Sequence, residues 1–158
     1  MSLVQQLSTS LREKDLRLTT AESCTGGMIA AAITDLSGAS DIFDRGFITY
    51  SNQAKQDMLG VSVNIINHYG AVSAQCADAM VMGALAHSTA DIAVSVTGIA
   101  GPNGGSVEKP VGLVYIGVCI RGKEPTIEEC FLSGSRDDVR RAVVDKALGL
   151  LFEAVLTV

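Results

Sequence analysis

Leu3, Val4, Leu7 and Leu11 recur at intervals of three and four, which lays them along one face of a helix near the start of the chain. The phrase LRLTTAES, Leu16 to Ser23, alternates apolar and polar positions and predicts a strand. An alanine-rich helix from about Thr25 to Leu36 follows. Asp41 to Ser51, DIFDRGFITYS, then has the aromatic and β-branched content of a second strand. Short helices are expected over Gln53–Leu59 and Val63–His68 and a longer one over Ser73–Ser88, while DIAVSV, Asp91 to Val96, has the continuous apolar character of a buried strand. Gly and Pro crowd TGIAGPNGGSVEKP, Thr97 to Pro110, and mark a shaped loop. Two further strands, PVGLVYIGVCIRG and TIEECFLSG, precede a closing helix from Ser135 to about Leu156, opened by a capping-box-like pair of Ser135 and Asp138. Strands alternating with helices place the chain in the α/β class, a layered domain whose mixed sheet is parallel at first and antiparallel among the later strands.

Composition narrows the picture without changing it. With 158 residues, 47% of them apolar and 18% charged, residues 1–158 suit one globular domain with a substantial core. A net charge of −5 without any basic block argues against DNA or RNA as a partner. The longest apolar runs, Met28–Ile33 and Val114–Ile120, fall far short of the roughly 20 residues a bilayer span needs, so no membrane partner is expected. The N-terminal stretch lacks the apolar core of a secretory signal, and a cytoplasmic location is the expectation. Cys24, Cys76, Cys119 and Cys130 form no Cys-x-x-Cys pair, and only His68 and His87 are available to join them, so no metal site is expected. Cys76, Cys119 and Cys130 read as small buried hydrophobes in a reducing compartment.

Two segments lie at handovers from strand to loop, where ligands gather in open α/β sheets. In AESCTGG, Ala21 to Gly27, the glycines Gly26 and Gly27 allow close backbone approach, and the amides opening the next helix suit a phosphate or an oxyanion. Simple capping by Ser23 or Thr25 accounts for the same spacing, and both readings stand. In the second loop, the glycines at 98, 101, 104 and 105 lack dinucleotide-fold spacing, and no Gly-Lys-Ser/Thr phosphate motif occurs, so neither a nucleotide triphosphatase nor a Rossmann oxidoreductase is supported.

A hydroxyl nucleophile needs a base. Both histidines fall in helical contexts away from these loops, whereas YSNQAK, Tyr50 to Lys55, ends a strand and begins a helix. With Asn52 as N-cap, Lys55 takes the third helical position, where the dipole and burial both lower a lysine's pKa. A solvated surface lysine fits the same spacing. Cys24 rivals Ser23, since a thiol at a helix N-terminus is acidified, but strand alternation turns the two side chains apart and no histidine partner is near. Arg136 and Arg140, four apart on one helical face, suit either a phosphate or ion pairs with Asp137 and Asp138.

TTAESCTGG, RGFITYSNQAKQDMLGV, YGAVS, SVTGIAGPNGGSVEKPVGLVY and GSRDDVRR occur in an order that resembles the C-terminal domain of the CinA family of competence/damage-inducible proteins. The resemblance spans nearly the whole chain. It implies a three-layer α/β/α domain that hydrolyses the carboxamide of nicotinamide mononucleotide to nicotinic acid mononucleotide and ammonia, in pyridine-nucleotide recycling. It also implies Ser23 as nucleophile, Lys55 as base and Tyr50 in the same catalytic group, with no cofactor. Thr25, Gly26 and Gly27, the loop residues Thr97, Gly98, Gly101, Gly104 and Gly105, and Arg136 or Arg140 at the phosphate would then contact a small nucleotide substrate. Two departures stand out. Many members carry a further N-terminal domain for which this chain has no room, and Asn64, Ile65 and Gln75 stand where acidic residues are expected in the family. Two other readings therefore stay open: a catalytically silent paralogue that binds a nucleotide or a protein, and a serine amidase for another small amide. A homo-oligomer is the expectation for so apolar a small domain.

Overall fold

The computed structural model describes all 158 residues. In chain order the elements are α1 (Leu3–Glu13), β1 (Leu18–Glu22), α2 (Met28–Thr34), β2 (Phe43–Ile48), α3 (Asn52–Leu59), α4 (Val63–Tyr69), α5 (Ala74–Ala86), β3 (Ile92–Gly98), β4 (Leu113–Ile120), β5 (Thr126–Phe131) and α6 (Arg136–Leu156). Serines begin most of the helices: Ser2, Ser51, Ser62, Ser73 and Ser135 each accept an amide N–H from the first turn. The expected capping box at Ser135 forms in full, with the Asp138 carboxylate returning a bond to the Ser135 amide at 2.9 Å.

The five strands make one sheet in the order β2-β1-β3-β4-β5. β1 is parallel to both β2 and β3, while β3–β4 and β4–β5 are antiparallel, as the alternation of elements predicts. Side-chain alternation along the central strands divides the apolar residues into two cores. Leu18, Ile92, Val94, Val96 and Ile116 pack against Leu7 and Leu11 of α1, Ile29 and Ile33 of α2, and Val139, Val143 and Leu151 of α6. Ala21, Ala93 and Cys119 face the other way, against Leu59, Ile66, Cys76, Met80 and Ala84 from the α3–α5 layer. Helices on both faces complete the three layers.

This arrangement also sets where a ligand can sit. The β1–β2 crossover runs through α2 on the α6 face, and the β2–β3 crossover runs through α3, α4 and α5 on the opposite face. From β1 the chain passes to β2 on one side, and from β3 it turns through the following loop to β4 on the other, so a crevice opens between the carboxyl ends of β1 and β3.

The second helix starts at Met28, later than its alanine-rich sequence suggests. Gly26 and Gly27 take φ of +58° and +106°, and this left-handed turn breaks the helical path that Thr25 would otherwise begin. Close packing of α5 depends on another glycine. A Cβ at Gly83 would lie 2.0 Å from the carbonyl oxygen of Leu59 at the end of α3. Gly83→Ala should therefore cost about 2–3 kcal/mol of stability. Thermal denaturation followed by circular dichroism should show a fall in Tm of about 4–12 °C for a chain of this size.

Candidate active site

Residues 19, 21 and 23 share the face of β1 that looks toward α3 and α5, so Ser23, one residue beyond the strand, projects toward Lys55. Two bonds extend the sheet here and hold Ser23 in place. Its amide donates to Val96 O at 3.1 Å, and the amide of Thr49, just past β2, donates to Glu22 O at 2.9 Å. The three parallel strands thus bring Ser23, Thr49 and the end of β3 to one edge.

Ser51, rather than Asn52, caps α3, accepting from Ala54 N at 3.0 Å, so Lys55 is the fourth helical residue and lies largely beyond the strongest influence of the helix dipole. Burial does the work instead. Lys55 is 1% exposed, and desolvation of the ammonium holds its pKa below the ordinary lysine value. Its Nζ meets Ser23 Oγ at 3.1 Å, Thr49 O at 2.9 Å and Tyr50 O at 3.4 Å. No carboxylate contributes to its shift; only the thiols of Cys76 and Cys24 would favour the charged form, and only when ionised. Burial pushes both thiols up, Cys24 to about 11, so neither is a thiolate at neutral pH.

Three oxygens accept from Lys55 Nζ, as suits an ammonium; once it has lost a proton, the amine keeps two N–H groups for the Thr49 and Tyr50 carbonyls and turns its lone pair to the Ser23 hydroxyl. A buried lysine amine and a serine hydroxyl thus stand together here without a histidine. His87 Nδ1 is engaged with Gly83 O at 2.8 Å, and His68 packs edge-on against Tyr69; neither lines the Ser23 cavity.

That cavity, of about 250 Å³, is bounded by Ser23, Cys24, Tyr50, Asn52, Lys55, Ala71 and Val72, by Thr97 to Gly101 with Asn103 and Gly104, and by Arg136. Arg136 alone contributes a permanent charge to the lining. Its guanidinium donates to Gly101 O at 2.9 Å and to the Tyr50 hydroxyl at 3.1 Å. Tyr50 is 62% exposed, and it reaches Lys55 through its carbonyl rather than its hydroxyl. Thr97 Oγ1 donates to Ala71 O at 2.7 Å, joining the loop to the α4–α5 connection.

Several anticipated contacts are differently placed. Arg140 does not line the cavity; its Nε and Nη2 donate to the carbonyls of Cys24 and Thr25 at 3.0 and 3.3 Å. The ion pair at this helix start is made by Arg141 with Asp137 at 2.8 Å, so neither candidate arginine spends its charge on an aspartate. Gly105 lies against the Val111 backbone, outside the lining, and Gly26 and Gly27 stand beside Arg140 and Ile48. Thr25 is buried and donates to Glu22 Oε1 at 2.7 Å.

Glu22 is the residue that pattern reading overlooked. Almost wholly buried, its carboxylate also accepts the amides of Ile29 at 2.8 Å and Ala30 at 3.1 Å. The anion favoured by the start of α2 is therefore the chain's own side chain, and those helix amides are closed to an incoming phosphate or oxyanion. Neither Ser23 nor Thr25 caps the helix, whose N-cap is Gly27. A glycine N-cap without a side chain, preceded by an acid at the end of a strand, was the available clue.

Other parts of the surface lack this chemistry. A second hollow of about 320 Å³, between β4, β5 and the last turns of α6, carries Glu124, Glu128 and Glu153 but no nucleophile. The four cysteines are free, no three His, Cys, Asp or Glu side chains converge on a common point, and no helix is long and apolar enough to cross a membrane.

The model of the CinA C-terminal domain matches residues 1–155. The chain belongs to that family. The CinA domain described here is 48% identical over 157 residues to the Escherichia coli K12 protein named nicotinamide-nucleotide amidohydrolase PncC, covering 99% of this chain and 94% of that one. It is 47% identical over 153 residues to a CinA-like protein of Akkermansia muciniphila, covering 97% of this chain but 37% of that protein. It likewise spans about a third of several other curated relatives. The crystal structure of the competence/damage inducible protein CihA from Agrobacterium tumefaciens superposes with a TM-score of 0.93 at 47% identity, over 97% of this chain and 93% of that one. Asn64, Ile65 and Gln75, where this CinA domain departs from the expected acidic pattern, all lie outside the cavity lining.

The buried amine has a consequence for stability. Folding lowers the pKa of Lys55, so between its folded and unfolded pKa values the unfolded chain binds more protons. The cost of burying it is full at low pH and relieved as pH rises through that window. Comparing wild type with Lys55→Met by urea denaturation at pH 7 and pH 9.5, the stability difference should move in favour of wild type at the higher pH, by up to about 1.4 kcal/mol per pH unit. A pH-independent difference would mean that Lys55 keeps its proton in the folded state.

Proposed function

We propose that this chain is a nicotinamide-nucleotide amidase that hydrolyses the carboxamide of nicotinamide mononucleotide to nicotinic acid mononucleotide and ammonia by a Ser/Lys mechanism, in pyridine-nucleotide recycling. The observation that carries the reading is the buried Lys55 amine 3.1 Å from Ser23 Oγ, with no carboxylate to hold its proton. The similarity to the E. coli amidohydrolase, over nearly the full length of both chains, supports the choice of substrate.

In this mechanism neutral Lys55 takes the Ser23 proton as Oγ attacks the carboxamide carbon, and the C=O π pair becomes an oxyanion. Lys55 then delivers the proton to the departing nitrogen, the C–N bond breaks, and ammonia leaves. A water molecule, deprotonated by Lys55, attacks the ester carbon; the oxyanion so formed collapses, the C–Oγ bond breaks, and Lys55 returns the proton to Ser23 Oγ as the acid leaves. The carbonyls of Thr49 and Tyr50 keep the lone pair aimed at the nucleophile throughout. Arg136 is the phosphate contact in this reading, because its charge stands in the lining, and the Tyr50 hydroxyl that it holds orients the nucleotide at the mouth. Arg140 acts through the backbone instead. The reaction is placed in the cytoplasm and uses no cofactor or metal.

Ammonia release from nicotinamide mononucleotide by purified protein, with chelator present, should be lost at least about 10³-fold in Ser23→Ala and Lys55→Met. It should survive Cys24→Ala, whose buried thiol is protonated. The acid limb of kcat/KM should report the lowered pKa of Lys55, rate rising with pH as the amine loses its proton. Arg136→Ala should raise KM about 10–100-fold with little change in kcat, corresponding to loss of a charge-assisted phosphate contact. Binding of the nucleotide without ammonia release would instead identify a silent binding paralogue, and release only from other amides would change the substrate.

A further inference from the structure

The turn from Ser23 to Met28 spends half of its six backbone amides on main-chain carbonyls. The Ser23 amide goes to Val96, those of Gly26 and Met28 go to Ser23 and Thr25 carbonyls at 3.0 Å each, and Arg140 takes the carbonyls of Cys24 and Thr25. Beyond it, Glu22 takes the first free amides of α2. Three turn amides, those of Cys24, Thr25 and Gly27, donate to no backbone or side-chain oxygen, and among these residues only Cys24 lines the cavity. The direction of its N–H follows from the peptide plane. The Ser23 carbonyl faces into the turn to accept from Gly26, and the only cis bond in the chain is Gly101–Pro102, so the Cys24 N–H points the opposite way, out of the turn. Its nearest competitor is its own thiol, a weak acceptor.

We infer that the Cys24 backbone N–H is an oxyanion donor for the Ser23 reaction, and that Glu22, through Thr25 and α2, and Arg140, through the Cys24 and Thr25 carbonyls, are positioning residues that hold its turn. This rests on the amidase reading above. Glu22 ties Thr25 to the start of α2, while Arg140 reaches from α6 across 116 residues of sequence to Cys24. Gly26, at φ +58°, lets the turn close beside the Arg140 guanidinium, 3.4 Å from where a Cβ would stand. As Ser23 Oγ bonds to the carbonyl carbon and its proton moves to Lys55, the negative oxygen would meet a donor already in place.

The direct test removes the N–H alone. The α-hydroxy analogue of alanine, incorporated at position 24, replaces the amide with an ester and is compared with Cys24→Ala. Two readouts are taken: steady-state ammonia release, and titration with pyridine-3-boronic acid, whose boron gains a bond to Ser23 Oγ while the serine proton passes to Lys55, leaving an anionic tetrahedral adduct. The ester should lower kcat about 10²–10³-fold with KM within threefold, and weaken the boronic acid comparably. Arg140→Met should lower kcat about 10–100-fold at unchanged KM and unchanged acid-limb pKa, with Arg140→Lys recovering part of it; Glu22→Gln should behave like Arg140→Met. An ester variant within threefold of Cys24→Ala in both readouts overturns the assignment. If no protein releases ammonia from the nucleotide, the substrate reading fails by itself, and the boronic acid titration still decides the donor.

Discussion

A lysine amine buried at the edge of a sheet, with two carbonyls and a serine hydroxyl for company, is the constraint on which this site depends. Water would solvate its ammonium form and a carboxylate would pair with it; Lys55 is almost wholly buried and no carboxylate stands beside it. The burial is unfavourable for folding and lowers the proton affinity of the amine, which is what the proposed base requires. Two consecutive main-chain carbonyls in the junction between β2 and α3, those of Thr49 and Tyr50, hold its Nζ more firmly than mobile side chains would.

The topology makes that burial possible. Because the chain leaves β1 toward β2 and β3 toward β4, on opposite sides, the ends of β1 and β3 part, and the α3–α5 layer lays Lys55 over the resulting crevice. The opposite layer contributes from beneath, α2 receiving the Glu22 carboxylate and α6 sending Arg140 to the turn and Arg136 to the cavity. Ser23, Lys55 and Arg136 thus come from the sheet and its two helical layers, and each is secured by hydrogen bonds to backbone.

Much of this was legible in the chain. Periodicity and composition identified the six α-helices and five strands, though not the short 3-10 helix at Ala39–Asp41, and the change from parallel to antiparallel pairing followed from the shift from alternating strand and helix to consecutive strands. The misreadings have local physical causes. Two positive-φ glycines delayed α2, and Ser51 won the cap from Asn52 because its hydroxyl reaches the Ala54 amide from an extended backbone. Glu22 escaped notice because a carboxylate in a strand carries no periodic signature; its role appears only when the helix seven residues later folds back above it.

By itself the sequence determined the elements, their order, and the pairing of a serine and a lysine in motifs that resemble a known family. These depend on local spacing, which a chain carries before it folds. Which arginine lines the cavity and which braces the turn, whether Tyr50 acts by hydroxyl or carbonyl, and which amides remain free were decided only by tertiary structure. Arg136 and Arg140 lie four apart on the same helical face; a single turn of helix sends one to the cavity and the other to the backbone beneath it. Desolvation and hydrogen-bond competition depend on what surrounds a group in space, and no spacing along the chain encodes that directly.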